Sequence, residues 1–394
     1  MVETIRVTSE AMAAETIASA YAQGRSVEIA GRGSKWPFGR PIHTDMRLET
    51  TGLAGITLYE PAELVMRAGA GTPLEEIEAA LAANGQMLAF EPRDLGGLLG
   101  TTEGTQSIGG VVATNLAGPR RCVAGAVRDH VLGLRAVNGR GEVFKTGGRV
   151  VKNVTGYDLC KLLTGSFGTL AVFTEVTFKV LPAPETEETV VLHGVDAETA
   201  VRLMGRALGS AADISGAAWM PAALAEGGDR AFLRLEGFGP SVKARRRYLM
   251  ETIVGGTVEA TVVEAEESHS LWRNIRDVRV FHGRWGQVVW KLAVRPSDAP
   301  ALLQRLGEQT DGEAFIDGGG AFLWLSLPCP GDAPAGLIRG LLPDGGHATL
   351  VAGPEAERAA QAVFQPLPAP LAALEARVKA SFDPKSILNP GRMA

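Results

Sequence analysis

The sequence predicts an α+β protein of two domains. Two observations carry that prediction. From Gly104 to Glu175, dense glycine is interleaved with short β-branched and apolar runs. This is the texture of strands and tight turns whose backbone comes close to another group. Beyond Pro182 the texture changes. LPAPETEE is polar and proline-bearing, and residues 186 to 355 then alternate single helix-like and strand-like pieces. That alternation fits an α+β layer of ferredoxin-like type. The expected division is 1–182, 183–355 and a C-terminal segment, 356–394.

In order along the chain, residues 10 to 24 read as an Ala-rich helix closed by Gly24, the residue that most easily takes a left-handed cap. SVEIAG is a strand, GRGSKWPFGRP a loop, and RLETTGLAGITLYEPAELVMRAGAG two or three strands. Thr72-Pro73 opens a helix with Glu75, Glu76 and Glu78 near its positive end, and Asn84-Gly85 ends it. VLGLRAV and TLAVFTEVTFKVL are strand-like and too apolar to stay solvated. In the second half AFLRLEGF, VVWKLAVRP and AFLWLSLP read as strands, and AETAVRLMGRALGS, SVKARRRYLMETIV and APALLQRLGEQ as helices. PLAALEARVKASFD is a last helix before PKSILNPGRMA. No internal repeat is evident.

Composition narrows the function classes. The 394 residues are 45% hydrophobic and 21% charged, with net charge −5. An acidic chain is a poor default binder of nucleic acid. Lys243 and Arg245 to Arg247 read as a solvated helix face. No apolar run is long enough to span a membrane, and the N-terminus lacks a signal peptide's apolar core, so the expected location is cytoplasmic. Cys122, Cys160 and Cys329 are scattered singly, which argues against an iron–sulfur cluster held by this chain alone.

The chemistry begins at Gly31-Arg32-Gly33-Ser34-Lys35. A glycine loop after a strand can present amides to a diphosphate, with Ser34 and Lys35 adding a hydroxyl and a charge. It is neither a Walker A loop nor a Rossmann fingerprint, since the third glycine is missing and Pro37 interrupts any immediate helix.

Further segments extend it: Ser107 to Gly118, then Gly165-Ser166-Phe167-Gly168-Thr169-Leu170 leading into a strand, and the terminal NPG. Together these resemble the flavin-binding half of the vanillyl-alcohol oxidase (PCMH-type) FAD family. EIEAALAANGQMLAFEP, GGVVATNLAGPRR, VKNVTGYDLCKLLTGSFGTL and ILNPGRM, in that order, resemble more closely the FAD-binding E subunits of bacterial glycolate oxidase. The resemblance covers about residues 20 to 182 and the last dozen. It implies a PCMH-type FAD domain of two α/β subdomains, a ferredoxin-like cap domain, and a tail that returns to the FAD domain. It implies that Gly31, Arg32, Gly33, Ser34 and Lys35 hold the FAD diphosphate, and that Ser107, Gly109, Gly110, Thr114 and Asn115 run along diphosphate and flavin. Gly168 and Val172 would present backbone, and Asn389 would return to the ring. Turn or cap chemistry is the alternative for Thr114 and Asn115. Lys152, Tyr157 and Asp158 read as loop-ordering and helix-capping residues.

Covalent members of the superfamily attach flavin through a loop histidine. Ser34 and Lys35 stand here instead, so noncovalent FAD is expected. The 2-hydroxy-acid dehydrogenase relatives carry a G-D-G-N-L-H metal motif. The nearest stretch here, Asp317 to Phe322, has neither Asn nor His, and no metal is expected. A 2-hydroxy acid needs a base at its hydroxyl and a cation at its carboxylate. Arg276, His282, Arg284 and Lys291 are the available candidates, with a surface or interdomain salt-bridge role as the favoured reading. The resemblance implies a larger flavoprotein subunit and an iron–sulfur subunit as partners, through which the chain could sit at the inner membrane. A self-sufficient FAD dehydrogenase and a flavin-bearing structural subunit are the alternatives.

Overall fold

A computed structural model of the chain describes residues 2–150, 156–256, 258–329 and 335–393. It forms two compact units, one of residues 1–117, 125–182 and 366–394, the other of 118–124 and 183–365. The returning segment expected from 356 therefore starts at 366. Residues before it belong with the second core, where Val363 is fully buried and its carbonyl accepts from Leu350 N at 2.8 Å. Residues 118–124 join that unit as well, with Arg120 paired to Glu236.

In the first unit, β1 (Glu3–Arg6), β2 (Val27–Ala30) and β3 (Met46–Glu49) form a parallel sheet in the order β1-β3-β2. The expected first helix spans Glu10–Gln23. Ser9 Oγ caps it by accepting from Met12 N at 3.1 Å, and Gly24 ends it at φ +69°. Ala13, Ile17 and Ala20 turn inward onto Val27, Met46 and Leu48. The strands β4 (Ile56–Glu60), β5 (Val65–Gly69), β7 (Val131–Asn138), β8 (Val143–Gly147) and β9 (Ala171–Lys179) make an antiparallel sheet in the order β4-β5-β9-β7-β8, and β6 (Gln86–Met87) pairs with β10 (Leu181–Pro182). The helix expected after Pro73 runs Leu74–Ala82 and packs Leu74, Ile77 and Leu81 on that sheet's core.

The second unit is one eight-stranded antiparallel sheet. Its strands are β11 (Thr186–His193), β12 (Gly216–Met220), β13 (Arg230–Gly237), β14 (Ala260–Glu264), β15 (Gln287–Ala293), β16 (Glu313–Asp317), β17 (Phe322–Pro328) and β18 (His347–Ala352), in the order β14-β11-β13-β12-β16-β17-β15-β18. The first four strands, with helices Ala197–Leu208 and Gly239–Tyr248, make one βαββαβ module. The last four, with helices Ala299–Gln309 and Ala335–Leu341, make another. The two modules join through their second strands, at Trp219 and Ile316. The sequence shows no repeat, yet the fold contains one. The modules share a connectivity and a shared core of Leu, Val, Ile and Trp side chains, which many unrelated sequences can supply.

Two smaller expectations change. Asp158 makes no capping bond to helix Leu159–Leu163 and instead pairs with Lys161 at 3.4 Å, while Tyr157 is 93% exposed; Lys152 lies outside the described residues. The basic cluster ends a helix, where cations suit the dipole, but Arg245 turns inward to the Glu236 carbonyl at 2.6 Å and Arg246 pairs with Glu188 at 3.0 Å.

Candidate functional site

The loop after β2 lines a cleft within the first unit. Its wall includes Gly31, Arg32, Gly33, Ser34 and Lys35 from the loop, Ser107, Gly110 and Thr114 from the short helix Ile108–Thr114, and Asn389 from the tail. A second hollow, about 510 Å³, shares Arg32, Gly33, Ser34 and Trp36 with it and adds the hydroxyls of Thr51, Thr101, Thr102 and Thr105.

Each part has a local cause. Gly33 sits at φ +78°, a conformation that L side chains rarely adopt, and lets the chain fold back so that Trp36 N donates to Gly33 O at 3.1 Å. Among the described residues, no carbonyl or side chain accepts from the amides of Arg32, Gly33, Ser34 or Lys35. Lys35 is half-buried, with Nζ 2.5 Å from Gln106 Oε1. Burial lowers its pKa to about 8, against the opposing pull of the Asp94 carboxylate. Gly31 is forced by its neighbour, since a Cβ there would lie 2.5 Å from Ser107 Oγ. Gly110 faces open space: an added Cβ would meet only Ser107 Oγ, at 3.4 Å.

Asn389, in the left-handed region at φ +41°, closes the far side. Its Oδ1 accepts from Ile29 N at 2.8 Å and its Nδ2 donates to Phe167 O at 2.7 Å. One amide thus ties β2 to the Gly165–Gly168 turn.

Four other expected residues stand outside the cleft wall. Gly109 N is taken by Ala70 O at 2.8 Å, and a Cβ on Gly109 would lie 2.6 Å from that oxygen, so this glycine serves close packing. Asn115 caps its helix at φ +52° and accepts from Arg128 N at 3.1 Å. Val172 is fully buried in the core under β2. Gly168 makes room for Asn389, whose Nδ2 would lie 2.7 Å from an added Cβ. Thr114 stays on the wall, its hydroxyl bonded back to Gly110 O at 2.9 Å.

The sequence reading missed Trp36, Phe38, Phe167 and Arg392, which also line the cleft. Phe38 and Phe167 meet edge to face at 5.0 Å. Their position beside the glycines was the available signal.

The catalytic candidates belong to the second unit. Arg276 forms two 2.8 Å bonds to the buried Asp277 carboxylate, and His282 Nε2 lies 2.9 Å from the Asp277 carbonyl oxygen. Arg284 pairs with Glu313. Lys291 Nζ lies 4.2 Å from the Phe322 ring centroid. Arg276 and His282 both reach Asp277, the first at its carboxylate and the second at its backbone carbonyl. Among the described residues no three His, Cys, Asp or Glu side chains gather as metal ligands would.

Free amides, the cations of Arg32 and Lys35 and a glycine opening into the cleft suit a diphosphate. Residues 3–147 match the family model described as an FAD binding domain. The chain is 36% identical to glycolate oxidase subunit GlcE of Escherichia coli K12 over 379 residues, 96% of this chain and 95% of that protein. The chain belongs to the GlcE family. FAD is its cofactor. This GlcE-family chain is also 44% identical to glycolate oxidase subunit GlcD of Bacillus subtilis over 85 residues, 22% of this chain and 18% of that one. Its fold matches alkyldihydroxyacetonephosphate synthase with a TM-score of 0.69 at 14% identity, covering 98% of this chain and 76% of that one.

Proposed function

We propose that the chain is the FAD-binding subunit of a glycolate oxidase (glycolate dehydrogenase) complex that converts glycolate to glyoxylate. Its partners are a larger flavoprotein subunit and an iron–sulfur subunit, and the complex works in the cytoplasm or against the inner membrane. The observation that carries the proposal is similarity to GlcE over 96% of the chain, and the free loop amides beside Lys35 in the cleft support it. FAD held there supplies a two-electron acceptor for the carbon bearing the substrate hydroxyl. The Arg32–Lys35 amides and the Lys35 ammonium hold negative charge, and Gly110 leaves the space it needs. Phe38 and Phe167 keep water from one wall. Ser34 and Lys35 in place of a loop histidine make the attachment noncovalent. Arg276, His282 and Arg284 are engaged in bonds of their own unit, and we assign the catalytic base to none of the four candidates.

The purified full chain should be yellow, and acid or heat should release all of its FAD. Flavin that stays with the denatured chain on a gel would defeat the noncovalent attachment. A colourless protein that takes up no FAD on titration would defeat the site itself.

A further inference from the structure

One carboxylate holds Trp36 from two directions. Glu28, on β2, lies opposite Arg47 of β3 in the parallel sheet. Its Oε2 accepts from Arg47 Nε and Nη2 at 3.0 and 2.9 Å, and its Oε1 accepts from Arg392 Nη2 at 2.9 Å. Each arginine then reaches Trp36. Arg392 Nη1 donates to the Trp36 carbonyl at 3.0 Å, and the Arg47 guanidinium lies over the indole, 3.9 Å from the ring centroid. Arg392 is 6% exposed, and its entry depends on Gly39, where a Cβ would lie 2.7 Å from Arg392 Cδ. Gly33 lies close to the indole, since a Cβ there would come 3.3 Å from the ring. Trp36 borders both hollows of the cleft.

We infer that Glu28, Arg47 and Arg392 form a clamp that positions Trp36, and through it the Gly31–Lys35 loop, for the cofactor. Arg392 is a positioning residue in the returning C-terminal segment, so that segment sets the geometry of the Gly31–Lys35 loop. The chemistry favours this over simple surface pairing. Arg392 forks between an anion and a carbonyl, which only a guanidinium can do from one planar group. Glu28 fills both oxygens with separate cations, so removing any member misaligns the other two. Rigidity at this loop matters because the free amides hold a diphosphate well only when they are already aligned.

The inference rests on the cleft being the FAD site, and one experiment separates the two ideas. FAD is titrated into the full apo-chain while indole fluorescence is followed, for wild type and for Trp36→Phe. If the cleft is the site, FAD quenches an emission component that Trp36→Phe lacks. No such component means the cleft reading fails and the clamp with it. Given the quench, Arg392→Ala and Glu28→Gln should each raise the FAD Kd about tenfold or more. Arg392→Lys should recover only part of the loss, since an ammonium cannot span both acceptors. The double variant Glu28→Gln/Arg392→Ala should be no worse than the poorer single, as expected for groups acting as a unit. Each Kd is to be read well below that variant's own apo melting midpoint, where the apo-chain is folded. A Kd within about twofold of wild type, additive losses, or a Kd change that merely follows a lower apo midpoint would overturn the clamp.

Discussion

Gly109 and Gly110 are neighbours in one short helix and serve opposite ends. Gly109 is a packing glycine pressed on the Ala70 carbonyl, whereas Gly110 opens into the cleft. From sequence the pair looks uniform, because GG does not say which hydrogen faces a ligand. Gly110→Val should therefore leave the apo-fold within about 1 kcal/mol of wild type, since helix propensity ranks valine no lower than glycine, while its side chain fills the cofactor's space. FAD affinity should fall by at least about 100-fold, read by flavin titration beside a thermal melt. Unchanged affinity in a folded variant would remove Gly110 from the site. Lys35 gives a pH test. Its pKa in the empty cleft is about 8, lowered by burial, and a bound diphosphate favours the charged form and raises it. Affinity from this ammonium is thus full below about pH 8 and is lost as pH rises from there through the higher pKa of the bound state. A charge-assisted bond of about 1.5–3 kcal/mol predicts a Kd roughly 10- to 100-fold weaker near pH 10. Lys35→Met should bind weakly and flatten the profile, and an unflattened profile would assign the titration to another group. For stability the sign reverses. The folded pKa lies below the unfolded one, so this lysine's burden on the apo-fold is greatest below about pH 8 and lifts as pH rises toward 10.5.

At the scale of elements, those with end signals were legible. Gly24 closes the first helix, and Pro73 opens the second. The strands that were not legible lack alternation for physical reasons. β12 reads GAAWM and is buried along its whole length, so neither face is polar. β11 opens with Glu187 and Glu188, which look like loop but are buried with partners: Glu187 accepts from Ser268 Oγ at 2.6 Å and Glu188 pairs with Arg246. Pair chemistry between distant residues leaves no local pattern, which is also why the doubled βαββαβ plan stayed hidden. The tail shows the same limit. NPG was readable as a turn, but not as a cross-link between β2 and the Phe167 turn. Asn389→Ala would leave the Ile29 amide and the Phe167 carbonyl without their bonds and put alanine in the left-handed region. The expected loss is about 3 kcal/mol, seen as a lower denaturant midpoint at constant slope. Loss under about 0.5 kcal/mol, the scatter of an ordinary surface substitution, would mean that the tail is not a structural tie.

At the scale of the whole molecule, electrons need an exit. FAD that has taken two electrons must pass them on. Among the described residues, Cys122, Cys160 and Cys329 form no disulfide, and no cluster of metal-ligating side chains exists. An iron–sulfur carrier needs about four cysteines brought together, more than this chain has. Similarity to one glycolate oxidase subunit along nearly its whole length, and to a second over 85 residues, fits a protein that shares its chemistry with other chains. The purified chain should hold FAD yet show little or no glycolate-dependent dye reduction without air. Co-expressed with a larger flavoprotein subunit and an iron–sulfur subunit, it should co-purify across an interface of roughly 800 Å² per side, and the assembly should reduce dye with glycolate. The cofactor variant links the two levels: Gly110→Val should still co-purify, because the blocked cleft is not a folding defect, and its effect on the assembly's rate measures how far this subunit's flavin takes part. Turnover of glycolate or D-lactate by the isolated chain on the order of 10 s⁻¹, an ordinary enzymatic rate, would reject the dependence on partners and make the chain a self-sufficient dehydrogenase.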